Sequence, residues 1–147
     1  MLDELLDNQS NRLRFDTWNV NGLIIFKETA NFMINYLDLY KCLKAKAVKM
    51  DRYKEIYRFL KILMSMLGKC INGGYINFAI CDFYHDNSFV QLSKMIFEAI
   101  QGQSLTEMKQ YEKINKALHR FVSEFFKKNM ELVFLKFDQE TIKYVVE

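Results

Sequence analysis

Apolar residues recur at three- and four-residue steps along most of this chain, the spacing that places them on one side of an α-helix. The stripes predict four long helices, at about 22–40, 50–71, 87–101 and 105–128. Residues 41–49 fit either a loop or an extension of the first helix. The second helix is apolar over much of its circumference, so other elements must cover it on more than one side.

A glycine pair, Gly73 and Gly74, stands where the second helix must end. Glycine just past a helix end adopts the left-handed conformation without a Cβ clash, so we expect a helix cap and a tight corner here. The following run YINFAICDFY alternates like a β-strand, but a single strand would have no partner in this chain. The pattern favours the alternative, a short helix capped by Asn77.

Further helix starts follow in the second half of the chain. Ser104 and Glu107 form the Ser-x-x-Glu pattern of a capping box, which predicts the start of the fourth helix. Residues 129–135 continue or bend that helix, and Asp138 with Glu140 predicts another start. The order is therefore long helix, long helix, corner, and then the same again.

Helix pairs with short connections are the unit of α-solenoids. We therefore expect an all-α fold in which HEAT-like antiparallel helix pairs stack as an α-solenoid. A polar N-terminal segment would occupy residues 1–20. The helical repeat segment would occupy 21–147 and hold about two pairs and the start of a third.

Composition agrees with long helices. The 147 residues include no proline and five glycines, so little interrupts a helix, and half of the residues are hydrophobic, which excludes disorder. Three cysteines without a CxxC motif argue against a disulfide framework and for a reducing compartment. The N-terminal residues lack the pattern of a signal peptide, and the longest apolar stretch, 59–67, is too short to span a bilayer. We expect a soluble intracellular protein.

Positive charge is concentrated in one stretch. Residues 41–61 contain eight basic and two acidic side chains, although the whole chain carries a net charge of only +3. Lys54, Arg58 and Lys61 follow at steps of four and three, which places them on one strip of the second helix. Such strips are commonly solvated surfaces, and this one is also a candidate site for an acidic protein surface or for nucleic acid.

Candidate chemistry is sparse. The glycine pair lacks the GxxxxGK[ST] context of a phosphate loop. Cys81 and His85 offer two zinc ligands beside two aspartates, but zinc needs three or four, and the other histidine, His119, is distant in sequence. No motif supplies a nucleophile with a base and an oxyanion site. We expect no catalysis, no metal and no cofactor.

Three stretches resemble the exportin-7 family of nuclear transport receptors, in the importin-β (karyopherin) superfamily. They are NVNGLIIFKETANFMINY at 19–36, YKEIYRFLKILMSMLGKCINGGYINFAICDFYHD at 53–86 and HRFVSEFFKKNMELVFL at 119–135. The most specific positions are Gly74, Tyr75, Asn77, Phe78, Phe83, Tyr84 and Asp86. The resemblance covers residues 19–147 and a small interior part of the longer receptors. Ala79 and His85 depart from the family, whose members commonly carry glycine there.

The resemblance implies a superhelical arch of HEAT-like pairs and a receptor that binds protein cargo together with GTP-bound Ran. Such a receptor shuttles between nucleus and cytoplasm through the nuclear pore and contacts pore proteins. Ran carries the nucleotide, so the receptor needs no cofactor. Gly73, Gly74, Asn77 and Asp86 would form a structural corner. The alternative is a stand-alone helical module that binds RNA or an acidic protein through the basic strip.

Overall fold

The computed structural model describes residues 20–45, 52–74, 78–137 and 139–146. Every regular element within these ranges is an α-helix, so the predicted all-α class is confirmed. The helices are α1 (Val20–Ala45), α2 (Arg52–Asn72), α3 (Phe78–Phe83), α4 (Ser88–Gln101), α5 (Leu105–Gln110), α6 (Glu112–Lys136) and α7 (Gln139–Val146). The predicted polar segment 1–20 lies outside the described residues except for Val20.

Several local predictions can be compared with these bounds. α1 continues through 41–45, so the basic stretch begins as a helical extension, and residues 46–49 lie outside the described ranges. The short helix favoured over a strand is present as α3. Ser104 caps α5 as the capping-box pattern predicts, because its Oγ accepts a hydrogen bond from the Glu107 backbone N–H at 3.4 Å.

The long helices pack in two rows. α1 packs beside α4, and α4 beside α7, while α2 and α6 form the most extensive contact in the molecule. α2 also contacts α1 and α4, which joins the two rows. Helices that alternate between two rows along the chain are compatible with a stack of HEAT-like pairs.

Aromatic rings fill the space between the rows. The ring of Phe97 on α4 lies 5.1 Å from that of Phe125 and 5.6 Å from that of Phe121, both on α6. Phe89 extends the cluster to Phe26 on α1 through an edge-to-face contact with centroids 6.0 Å apart. These rings are almost completely buried, and edge-to-face pairs add to the free energy gained from burial alone.

The fourth predicted helix is not continuous. Tyr111 has an extended backbone (φ −102°, ψ 96°), so the prediction of one helix over 105–128 is wrong, and the chain forms α5 and α6 instead. The Tyr111 carbonyl accepts hydrogen bonds from the N–H groups of Ile114 and Asn115, which starts α6. Within α6, Asn129 has non-helical angles (φ −130°, ψ 34°), which is the bend that the sequence left open.

Candidate partner-binding groove

The structure describes the side chains of two of the three residues of the predicted basic strip on α2. Arg58 and Lys61 are exposed, and the side chain of Lys54 lies outside the described part of the chain. Burial raises the pKa of Tyr36 on α1, and the positive charge of Arg58 partly opposes that rise. Arg58 therefore lies towards α1, whereas Lys61 lines a groove between α2 and α6.

This groove has a volume of about 360 Å³ and basic side chains on both walls. Lys61 and Lys69 line it from α2, and Lys113, Lys116 and Arg120 line it from α6. Steps of three, four and eight residues bring side chains to one helix face, which is why each wall is basic along its length. The apolar part of the lining is formed by Met64, Ala117 and Phe121.

Two of the basic side chains are paired within α6. Lys116 forms an ion pair with Glu112, and Arg120 Nε donates to Glu124 Oε1 at 2.9 Å, each four residues away. These two carboxylates offset two of the five basic charges that line the groove. None of the described residues that line the groove is acidic.

Sequence reasoning found Lys61 but missed the opposite wall. Lys113, Lys116 and Arg120 carry a visible signal, since they recur at steps of three and four on the fourth predicted helix. That spacing identifies a basic helix face without saying which other helix lies beside it. The groove exists because α2 and α6, which are at least 40 residues apart in sequence, pack side by side.

The glycine corner ends α2 through backbone hydrogen bonds. The Gly73 N–H donates to the Lys69 carbonyl at 2.7 Å, and the Gly74 N–H donates to the Ile71 carbonyl at 3.4 Å. Gly74 has φ +72°, the left-handed conformation that glycine adopts without a Cβ clash. Lys128 Nζ also donates to the Ile71 carbonyl, at 3.2 Å, which ties this helix end to α6.

Asp86 holds the other side of the corner, and Asn77 lies outside the described residues. Asp86 Oδ1 accepts from the Ser88 N–H at 2.8 Å at the start of α4, and Oδ2 forms an ion pair with Lys27 Nζ at 3.0 Å. Burial alone would raise the pKa of Asp86, but the hydrogen bonds from Ser88 and the charge of Lys27 hold it below its ordinary value. The contacts described for Asp86 thus join α4 to α1.

Cys81 and His85, the two potential zinc ligands beside this corner, differ in their exposure to solvent. Cys81 is buried, and burial together with the nearby charge of Asp86 raises the pKa of its thiol to about 11, which disfavours the reactive thiolate. His85 is exposed. In the ranges that the structure describes, no three metal-ligating side chains come together.

One further surface is apolar. Ile24, Phe32 and Leu39 project from α1 and are each about half exposed. The Tyr36 ring stacks on the Phe59 ring of α2 with centroids 4.4 Å apart, and Phe32 stacks on Tyr36 at 6.1 Å. α1 therefore carries apolar side chains towards solvent as well as towards the core. None of the described helices has an apolar stretch long enough to cross a lipid bilayer.

Comparison with known proteins gives the family context for these features. The chain is 34% identical over 116 residues, 79% of its length, to exportin-7 of Dictyostelium discoideum. This chain is exportin-7-like. It is also 26% identical over 120 residues to Ran-binding protein 17 of Mus musculus and 22% identical over 147 residues to Ran-binding protein 17 of Homo sapiens.

The exportin-7-like chain is short beside these relatives. It spans 11% of the Dictyostelium discoideum and Mus musculus proteins and 13% of the Homo sapiens protein. No family model matches it, and no solved structure matches it.

Proposed function

We propose that this chain is a segment of a nuclear export receptor. The observation that carries the proposal is the 34% identity to exportin-7 across 79% of the chain. The whole receptor binds protein cargo together with GTP-bound Ran and carries that cargo from the nucleus to the cytoplasm through the nuclear pore. The names of the relatives support this proposal, since one is called an exportin and another a Ran-binding protein.

The role of the segment within the receptor is that of a scaffold and protein-binding surface. Two rows of helices with a shared aromatic core supply a rigid support whose outer faces remain available to partners. Transport by this route requires no bond-making by the receptor, because Ran carries and hydrolyses the nucleotide. The receptor therefore works without a cofactor and shuttles between nucleus and cytoplasm, contacting pore proteins on the way.

The test is a pull-down of the full-length gene product with Ran held in its GTP form, beside the same experiment with Ran-GDP. We expect retention by Ran-GTP and little by Ran-GDP, because an export receptor must distinguish the two states in order to release cargo. A matched imaging experiment follows a fluorescent fusion of the full-length gene product, which we expect to find in both nucleus and cytoplasm. Equal retention by the two Ran forms, or no retention by either, contradicts the proposal.

A further inference from the structure

We propose that the groove between α2 and α6 is a docking site for an acidic polypeptide segment in which carboxylates flank an apolar side chain. The walls provide the positive charge, and the half-buried Ala117 together with the aliphatic stems of the lining lysines provides the surface for the apolar side chain. The groove volume of about 360 Å³ suits a few side chains of an extended or helical segment.

Charge complementarity is the first support. Basic side chains gathered from two helices repel each other, and an acidic partner relieves that repulsion on binding. Glu112 and Glu124, each one helical turn from its basic partner on α6, partly offset the positive charge of the α6 wall. Lys61 lines the groove from α2 and Lys113 lines it from α6, and the described residues that line it include no carboxylate.

The groove keeps its shape without a partner. The Glu124 side chain of α6 reaches α2 at Gly68, where an added Cβ would lie 3.1 Å from Glu124 Oε2. Lys128 on α6 donates a hydrogen bond to the Ile71 carbonyl at the end of α2, and Phe121 is buried beneath the groove. A preformed site orders fewer side chains on binding, which leaves more of the interaction free energy for affinity.

The apolar lining favours polypeptide over nucleic acid. Sites for single-stranded nucleic acid combine a basic groove with exposed aromatic rings on which bases stack. Phe121, the aromatic residue in this groove, is only 2% exposed and packs into the core, so it offers no face to a base. The sugar-phosphate backbone also has no apolar side chain to cover the partly exposed Ala117.

The experiment measures binding to the 147-residue chain by fluorescence anisotropy. The probe is a labelled peptide of glutamates and aspartates around a central leucine. It is compared with the same peptide carrying serine for leucine and with an oligouridine RNA of equal charge. We expect the leucine peptide to bind more tightly than the serine peptide, because only leucine gains from burial against the apolar lining.

Paired variants locate the site. Lys61→Glu with Lys113→Glu reverses charge on both walls and should weaken peptide binding about tenfold or more, since two attractions become repulsions. Lys94→Glu with Lys109→Glu makes the same change in net charge at exposed lysines outside the groove lining and should leave binding unchanged. A third variant, Lys61→Gln with Lys113→Gln, should lose a smaller part of the affinity.

The outcomes separate the possibilities. Selective loss with the groove pair, at unchanged helicity by circular dichroism, supports the site. Equal loss with both charge-reversed pairs means attraction by net charge and overturns it, as does an absence of peptide binding. RNA binding tighter than the acidic peptide overturns the choice of polypeptide. These results are independent of the Ran pull-down, so the docking site and the receptor assignment fail separately.

Discussion

At the scale of single residues, His85 has a left-handed backbone (φ 52°) beside the glycine corner. This conformation costs a residue with a Cβ about 1–2 kcal/mol. Glycine avoids that cost, but its larger conformational freedom in the unfolded chain cancels part of the benefit. We therefore expect His85→Gly to raise the free energy of unfolding by about 0.5 kcal/mol, measured by urea denaturation.

His119 provides the matched control for that substitution. It is an exposed histidine within α6, where glycine is a poorer helix former. His119→Gly should lower the free energy of unfolding by about 0.5 kcal/mol. Changes of the same sign in the two variants would mean that His85 is not strained in solution.

Asp86 offers a second test at this scale. Asp86→Ala removes both the acceptor for the Ser88 N–H and the ion pair with Lys27, so it should lower the free energy of unfolding by about 1–2 kcal/mol. Asp86→Asn keeps an acceptor and should cost about half as much. The exposed Asp82→Asn should change stability by less than about 0.5 kcal/mol. Urea unfolding at neutral pH provides all three values.

The same carboxylate predicts a pH dependence. Its pKa in the folded chain is held below the unfolded value of about 3.9, so its charge stabilises the fold fully above that value. The contribution is lost as pH falls through the lower folded pKa. The difference in stability between the parent chain and Asp86→Asn should therefore shrink below about pH 4. A difference that stays constant into that range would show that the charge is not what stabilises the corner.

At the scale of helices, the hydrophobic spacing predicted most of the elements, because each long helix buries one stripe. The hydrophobic spacing did not predict the break at Tyr111. Tyr111 follows Met108 by three residues and precedes Ile114 by three, so it fits a continuous stripe. Its ring instead lies 5.2 Å from the Tyr57 ring of α2, a contact 54 residues away that periodicity does not encode.

The groove shows the same division between local and long-range information. Spacing along α2 identified Lys61 as a candidate, and the three-residue step between Lys113 and Lys116 on the fourth predicted helix was the signal for the opposite wall that the prediction did not use. Their meeting depends on α2 and α6 packing side by side, which follows from buried residues such as Leu60 and Phe121 rather than from the lysines. A single sequence thus reveals the charged faces and leaves their pairing to tertiary packing.

Phe97 tests whether the two rows share one core. Its ring contacts Phe121, Phe125 and Phe137 at 5.1–5.6 Å, so Phe97→Ala should lower the free energy of unfolding by about 3–5 kcal/mol through lost burial and a cavity. Phe83, which is 68% exposed, is the control, and Phe83→Ala should cost less than about 0.5 kcal/mol. Thermal unfolding of the three chains, followed by circular dichroism, makes the comparison. Similar costs at the two sites would contradict the shared core.

At the scale of the whole molecule, α1 carries an exposed apolar face, which is not expected of a closed globular domain. Its core side packs on α2 and α4, yet Ile24, Phe32 and Leu39 point towards solvent. Exposed apolar patches promote association in water. In a stack of helix pairs, such a face is covered by a neighbouring pair. The receptor proposal and the surface of α1 therefore lead to the same expectation for the chain in isolation.

We expect the isolated chain to self-associate through α1. Replacing Ile24, Phe32 and Leu39 together by glutamine, a good helix former, should shift the chain towards monomer in sedimentation velocity runs over a range of concentrations. Asn31→Gln with Asn35→Gln alters exposed polar positions of the same helix and should leave association as it was. A parent chain that stays monomeric at every concentration and unfolds in one sharp, reversible transition would mean that α1 needs no neighbour, which weakens the solenoid assignment.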